Sequence, residues 1–227
     1  MLKDGDLMVT LLHLLRDGDF QGAIIFVLSG CFVVFVCSPI HELSHGWVAY
    51  KLGDNTAKNQ GRLTFNPIAH IDLIGMIMIL VFGFGYAKPV PVNMRNFKNP
   101  KSGMALTALA GPLSNLILAF LSVFIYYAIP SYNEGILSYI AMFFWYSAVI
   151  NVSLAGFNLL PIPPLDGSKI LAGILPNKAY YKYMQYERYA MIALLVLLFT
   201  GIIDKYLDIV INALMFVISI IPALIFG

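Results

Sequence analysis

The chain has 227 residues, 59% of them hydrophobic and 11% charged, with a formal net charge of +2. A soluble domain carries about 25% charged residues, so the composition excludes an ordinary soluble protein, and the absence of a basic cluster argues against a nucleic-acid partner. Uncharged runs at 20–40, 102–133, 135–165, 189–203 and 209–227 indicate instead an all-α polytopic membrane protein, since a helix needs roughly 20 apolar residues to cross a bilayer.

Residues 1–19 open with Met-Leu-Lys-Asp-Gly-Asp, and their apolar stretch ends at Arg16-Asp17. They read as an amphipathic surface segment rather than a cleavable signal. Residues 20–50 form the first spanning helix. Its two cysteines, Cys31 and Cys37, point to different faces and are read as packing residues. Glu42 is the one formally charged residue between 20 and 50, and it lies within His41-Glu42-Leu43-Ser44-His45. A charge near the bilayer centre costs roughly 2.5–3.5 kcal/mol, so such a group is a functional hypothesis by default. Two histidines four apart share a helix face and can hold one metal ion, and the glutamate between them can take a proton from water.

Residues 61–92 carry Gly75, Gly83, Gly85 and the run Ala87-Lys88-Pro89-Val90-Pro91-Val92. This reads as a short re-entrant element in which 66–92 dips in and returns, with Pro89 and Pro91 placing their missing N–H groups on one edge of a strand. Gly61-Arg62-Leu63-Thr64-Phe65 is a candidate to pair with that strand as a β-hairpin. Core helices follow at 103–129 and 135–160, then a Pro-rich loop and Leu-Asp-Gly at 161–175, then C-terminal helices at 187–203 and 206–226. The whole of 1–227 forms one membrane domain with five to six transmembrane helices. If 66–92 returns to its own side, five helices span, the N-terminus lies outside, and Lys and Arg divide 11 cytoplasmic to 3 external, as the positive-inside rule requires. The motif then faces the cytoplasm.

A hydrolytic zinc site has three protein ligands and an open position for water. His41 and His45 supply two. Among the few other candidates, His13 lies on the wrong side in this topology, and His70 and Asp72 stand at the entrance to the re-entrant piece. Asp166 is preferred: Pro161, Pro163 and Pro164 stiffen its approach, and Gly167 leaves room beside it. Its plainer role would be to N-cap a helix over 167–175. With one Zn2+ bound, Glu42 would serve as general base. Asn158 and Asn115 are membrane-embedded amides able to steady an oxyanion, their plainer role being interhelical hydrogen bonding. A peptide bond in a helix must unwind before water attacks, and a strand at Val90 and Val92 could hold the substrate extended. A metal or proton transporter using the same polar cluster is the competing reading, although no pair of related halves is apparent.

These motifs resemble the site-2 protease family of intramembrane zinc metalloproteases, in its compact prokaryotic branch. The resemblance rests on His41-Glu42-Leu43-Ser44-His45-Gly46, Gly61 to Pro67, Ala87 to Val92, Ala110-Gly111-Pro112-Leu113-Ser114-Asn115, and Asn158 to Gly167, which matches Asn-x-x-Pro-x-Pro-x-x-Asp-Gly. It implies His41, His45 and Asp166 as zinc ligands, Glu42 as the base and Asn158 in contact with substrate. It further implies single-pass membrane proteins as substrates, regulated intramembrane proteolysis as the activity, and a prokaryotic plasma membrane as the location. Two features depart from the pattern: no PDZ or CBS domain is visible, and Leu73 follows His-Ile-Asp where this branch often has proline.

Overall fold

The computed structural model describes residues 7–70, 72, 87–130, 135–176, 178–179, 183, 185 and 187–226. Among the described residues the regular elements are all helices, with no strand. Among the described residues, four helices are long and apolar enough to cross a membrane: Phe20–Lys51, Pro100–Ala128, Ile136–Asn158 and Lys205–Phe226.

Helix α1 (Leu7–Arg16) rests Leu11 and Leu14 on a core of Phe26, Val33, Cys37, Tyr146 and Ile150. The first spanning rod begins at α2 (Phe20–Phe32), whose Gly22 N–H donates to the Asp19 carboxylate at 2.8 Å. A π-helical turn (Val33–Cys37) leads into α3 (Ser38–Lys51). Its physical cause is Pro39, which has no N–H and would drive its ring into the carbonyl one turn back; the wider turn relieves both problems. The extra residue rotates everything after it by about 100° relative to an unbroken helix. That rotation helps set the direction in which His41 and His45 point.

After the short α4 (Thr56–Asn59), a strap without regular structure covers 87–93 and leads through a 3-10 turn (Met94–Asn96) to α5 (Pro100–Ala128). Helix α5 is central, packing against α3, α6 (Ile136–Asn158), α7 (Asp166–Ile174) and α9 (Ile202–Phe226). Every fourth residue of one of its rows is buried: Gly103, Thr107, Gly111, Asn115, Ala119 and Val123. Lipid tails are as apolar as leucine, so small residues in such a row let helix backbones approach closely and gain van der Waals contact. The outer faces stay apolar. On α9, Phe216 and Leu224 are 72% and 81% exposed, as suits side chains solvated by lipid.

The chain is thus a multi-pass helical membrane protein. Helix α8 (Glu187–Phe199), with 13 residues, is shorter than the roughly 20 a span requires. The expected re-entrant passage lies largely at 71 and 73–86, outside the described residues. The expected β-hairpin between 61–65 and 87–92 does not form a ladder among the described residues. Arg62 reaches the Lys88 carbonyl with its side chain at 2.7 Å, and the Lys88 N–H donates to the His70 carbonyl at 2.8 Å. Pro89 and Pro91 have no N–H to donate, and the Val90 N–H is bound elsewhere, so little is left to build a ladder.

Candidate active site

His41 and His45, one turn apart on α3, face the same way, their ring centroids 4.6 Å apart. Their Nε2 atoms lie 3.0 Å from each other, and both lie close to Asp166 Oδ2, at 3.4 Å and 3.1 Å. All three residues are buried, at 8%, 8% and 6% exposure. Asp166 is the first residue of α7, and its carboxylate turns to the histidines rather than capping the helix. Gly167 makes this approach possible: a Cβ there would lie 2.2 Å from the Leu159 carbonyl oxygen. Lys169, one turn on, holds the second carboxylate oxygen at 3.3 Å, which leaves Oδ2 to the histidines.

Helix α5 supports the histidines from behind with three consecutive members of its buried row. The Thr107 carbonyl lies 2.7 Å from His45 Nδ1, and Asn115 Oδ1 lies 3.3 Å from His41 Nδ1. Between them Gly111 meets both rings: a Cβ there would lie 2.3 Å from His45 Nε2. Since 41 pairs with 115 and 45 with 107, the two helices run antiparallel here.

These contacts allow a test for a metal. A carbonyl oxygen can only accept, so His45 must donate from Nδ1, and the same assignment suits His41 beside an amide oxygen. Both Nε2 lone pairs then converge on a carboxylate oxygen: three acceptors with no donor among them. A cation resolves that arrangement. Ligand atoms of a tetrahedral zinc, each about 2.0–2.1 Å from the ion, stand about 3.3 Å apart, close to the separations found. Two nitrogens and one oxygen also form a donor set that zinc accepts.

Glu42 lies between the histidines on the same helix, half-buried, and its Oε2 accepts the Val90 N–H at 2.9 Å. Gly46 lets the strap lie this close, because a Cβ there would meet Val90 Cγ1 at 3.0 Å and Leu63 Cδ2 at 2.7 Å. The other candidates are distributed as follows. Asn115 is at the site, but its oxygen faces an imidazole. The Asn158 amide donates to the Leu154 carbonyl of its own helix at 3.0 Å. Val92 lies in the strap, two residues beyond the Glu42 contact. His70 is buried with Nε2 2.9 Å from the Thr64 carbonyl, and His13 is exposed on α1. Among the described residues, His41, His45 and Asp166 are the group spaced to hold a metal, and neither His70 nor Asp72 belongs to it.

Sequence reasoning did not identify Thr107 or Lys169, and named Gly111 only within the Ala110–Asn115 motif. Lys169 had a signal, standing three residues after Asp166 on a helix. The Thr107 carbonyl had none, since a backbone acceptor is present at every residue.

The sequence model of Peptidase family M50 matches residues 29–201. "Putative zinc metalloprotease YwhC" of Bacillus subtilis (strain 168) is 47% identical over 171 residues, covering 74% of this chain and 78% of the relative. "Putative zinc metalloprotease MJ0611" of Methanocaldococcus jannaschii is 38% identical over 132 residues, covering 58% and 62%. "Zinc metalloprotease MJ0392" of the same organism is 28% identical over 182 residues, covering 78% of this chain and 42% of the relative. No solved structure gives a significant match.

Proposed function

Because the chain belongs to peptidase family M50, the site-2 proteases, and is on that ground a membrane zinc metalloprotease, we propose that it hydrolyses peptide bonds within or beside transmembrane segments of single-pass membrane proteins. The observation that carries this reading is the convergence of His41 Nε2, His45 Nε2 and Asp166 Oδ2 to within 3.0–3.4 Å of one another. In this proposal these three residues hold one zinc ion, with Asn115 and the Thr107 carbonyl orienting the rings. Bound there, zinc supplies a Lewis acid that polarises the scissile carbonyl and acidifies water.

The chain's own residues do the rest. Glu42 takes the proton of the attacking water and returns it to the leaving amine. Asn158 offers an amide donor for the oxyanion after a rotation that frees it from Leu154. Asn115 Oδ1 lies beside His41 Nδ1, so we assign this residue to orienting the ring and leave the oxyanion to Asn158. The strap edge at Val90 and Val92 receives the unwound substrate; with the Val90 N–H on Glu42, the Val92 N–H is the donor for strand addition. The site opens toward the cytoplasm, five helices span once flanking residues extend the short α8 across the bilayer, and 1–227 acts as a single peptidase domain. Cleavage of this kind would release membrane-tethered regulators.

The test compares wild type with Glu42→Gln in detergent, measuring zinc per chain and cleavage of a model single-pass substrate. Zinc retained with cleavage reduced at least a hundredfold, within the range general-base removal costs (roughly 10²–10⁴), supports the proposal. Metal flux into liposomes with no cleavage by wild type would assign the cluster to transport.

A further inference from the structure

The Glu42 carboxylate is fixed by a backbone amide from a segment far along the chain, and that segment is clamped at both ends. At its start, the Lys88 N–H donates to the His70 carbonyl at 2.8 Å and Arg62 reaches the Lys88 carbonyl at 2.7 Å. At its end stands Asp54, in the loop that directly follows α3. Asp54 is fully buried. Its Oδ2 accepts the Asn93 N–H at 2.7 Å, and its Oδ1 accepts the Asn96 side-chain amide at 2.7 Å and the Thr56 N–H at 3.0 Å, together with the Thr56 hydroxyl. One side chain therefore ties the end of α3 to the end of the strap. Between the clamps Val90 is 8% exposed, its side chain against Gly46 and its N–H on Glu42.

We infer that Asp54 and the Val90 amide are positioning elements for the Glu42 carboxylate: the clamp at Asp54 sets the strap, and the strap sets the base. The inference rests on the reading of Glu42 as general base. Its physical content is geometric. A glutamate has three rotatable side-chain bonds, and displacing a reacting group by about 1 Å can cost a hundredfold in rate. A turn-forming role alone would need only Oδ1 and Thr56. The second oxygen, turned to Asn93, couples the turn to the strap itself, while the Asn96 amide on Oδ1 holds the 3-10 turn that follows.

Asp54→Asn separates these roles. It keeps an oxygen for Thr56 and places an NH2 group against the Asn93 N–H, where two donors oppose each other. Val90→Pro removes one N–H from a segment already flanked by Pro89 and Pro91, while Val90→Ala truncates the same side chain and keeps the N–H. The full-length variants are compared in detergent by zinc per chain, by kcat and KM on a model single-pass substrate, and by amide hydrogen exchange. Asp54→Asn is expected to keep its zinc, to lose about tenfold to a hundredfold in kcat with KM within about twofold, and to speed exchange at 88–96 but not in α3. Val90→Pro loses kcat to the same degree and falls at least tenfold below Val90→Ala. The double variant is no slower than the slower single variant, because both act through one contact.

Val90→Pro cutting as fast as Val90→Ala overturns the inference. So does a kcat loss in Asp54→Asn that only tracks lost zinc, or losses that multiply in the double variant. If Val90→Pro fails to fold, the zinc, kcat and exchange pattern of Asp54→Asn decides. The underlying reading fails separately: Glu42→Gln cutting at the wild-type rate removes the base itself, whereas an inactive Glu42→Gln beside an unimpaired Val90→Pro removes only the strap's role.

Discussion

Gly111 and Asn115 show how little of a metal centre need be ligand. Glycine at 111 leaves the space that two imidazoles fill, and a methyl group would sit 2.3 Å from His45 Nε2. The neighbour is a ring locked by its own hydrogen bond, so relief requires α5 to move away from α3. Gly111→Ala is therefore expected to insert and fold but to purify with well under half the zinc of wild type, read by elemental analysis. Asn115 acts on the proton side of the ring. Its oxygen favours the tautomer that leaves His41 Nε2 free for a metal, in a buried site where a lost partner is not replaced by water. Asn115→Leu should weaken zinc binding about tenfold to a hundredfold in chelator competition, whereas Asn115→Asp, which keeps an acceptor, should hold within a few-fold of wild type. Equal losses in the two variants would mean that the Asn115 oxygen is not what orients His41.

Among the elements, α5 and the strap place what α3 carries. The motif on α3 was legible because four-residue spacing on a helix is a local property. The row Thr107, Gly111 and Asn115 has the same spacing, but sequence alone does not say which neighbouring helix that row meets. The prolines of the strap suggest an edge strand paired with 61–65, but the segment carries no regular structure and that pairing does not form among the described residues. Two prolines remove donors from one edge, and the opposite edge donates at Lys88 to a turn and at Val90 to a carboxylate, leaving too few donors for a hairpin ladder. The clamp at Asp54 has a pH signature. Burial pushes its pKa up, but the hydrogen bonds from Thr56, Asn93 and Asn96 outweigh burial and hold it below the ordinary carboxylate value. A depressed folded pKa means that Asp54 stabilises the strap fully above the unfolded value of about 3.9 and loses that contribution as pH falls through the folded one. Amide exchange at 88–96, corrected for its intrinsic pH dependence, should therefore lose protection as pH falls through and below the ordinary carboxylate range. In Asp54→Asn the protection should be low throughout and insensitive to pH.

For the whole molecule, the open matter is orientation. The proposed topology sets 51–102 and 160–188 on the cytoplasmic side and the N-terminus outside, in keeping with the charge bias of the loops. This can be tested with single cysteines in a background lacking Cys31 and Cys37. Asn59→Cys and Lys98→Cys should react only with reagents that reach the cytoplasmic face, and Asp17→Cys and Ser138→Cys only with impermeant reagents added outside. Asn59 and Lys98 appearing on opposite faces would instead mean that the segment between them crosses the bilayer, giving a sixth span.

The amino-acid sequence by itself determined the class of molecule and the first half of its polar cluster. Span length, apolar content and the i, i+4 spacing of His41 and His45 are carried by neighbouring residues and survive without a fold. The sequence also favoured Asp166 among the possible carboxylates; only the tertiary structure decided how that carboxylate reaches the histidines, which helix backs their rings, and where the Val90 N–H goes. Each of these depends on distances between segments far apart in the chain. They also depend on a π-helical turn ahead of Pro39 that rotates the motif by an angle no hydropathy pattern records. Side chains brought together in this way are chosen by packing and by the need of buried lone pairs for a partner, and neither is expressed until the helices have assembled.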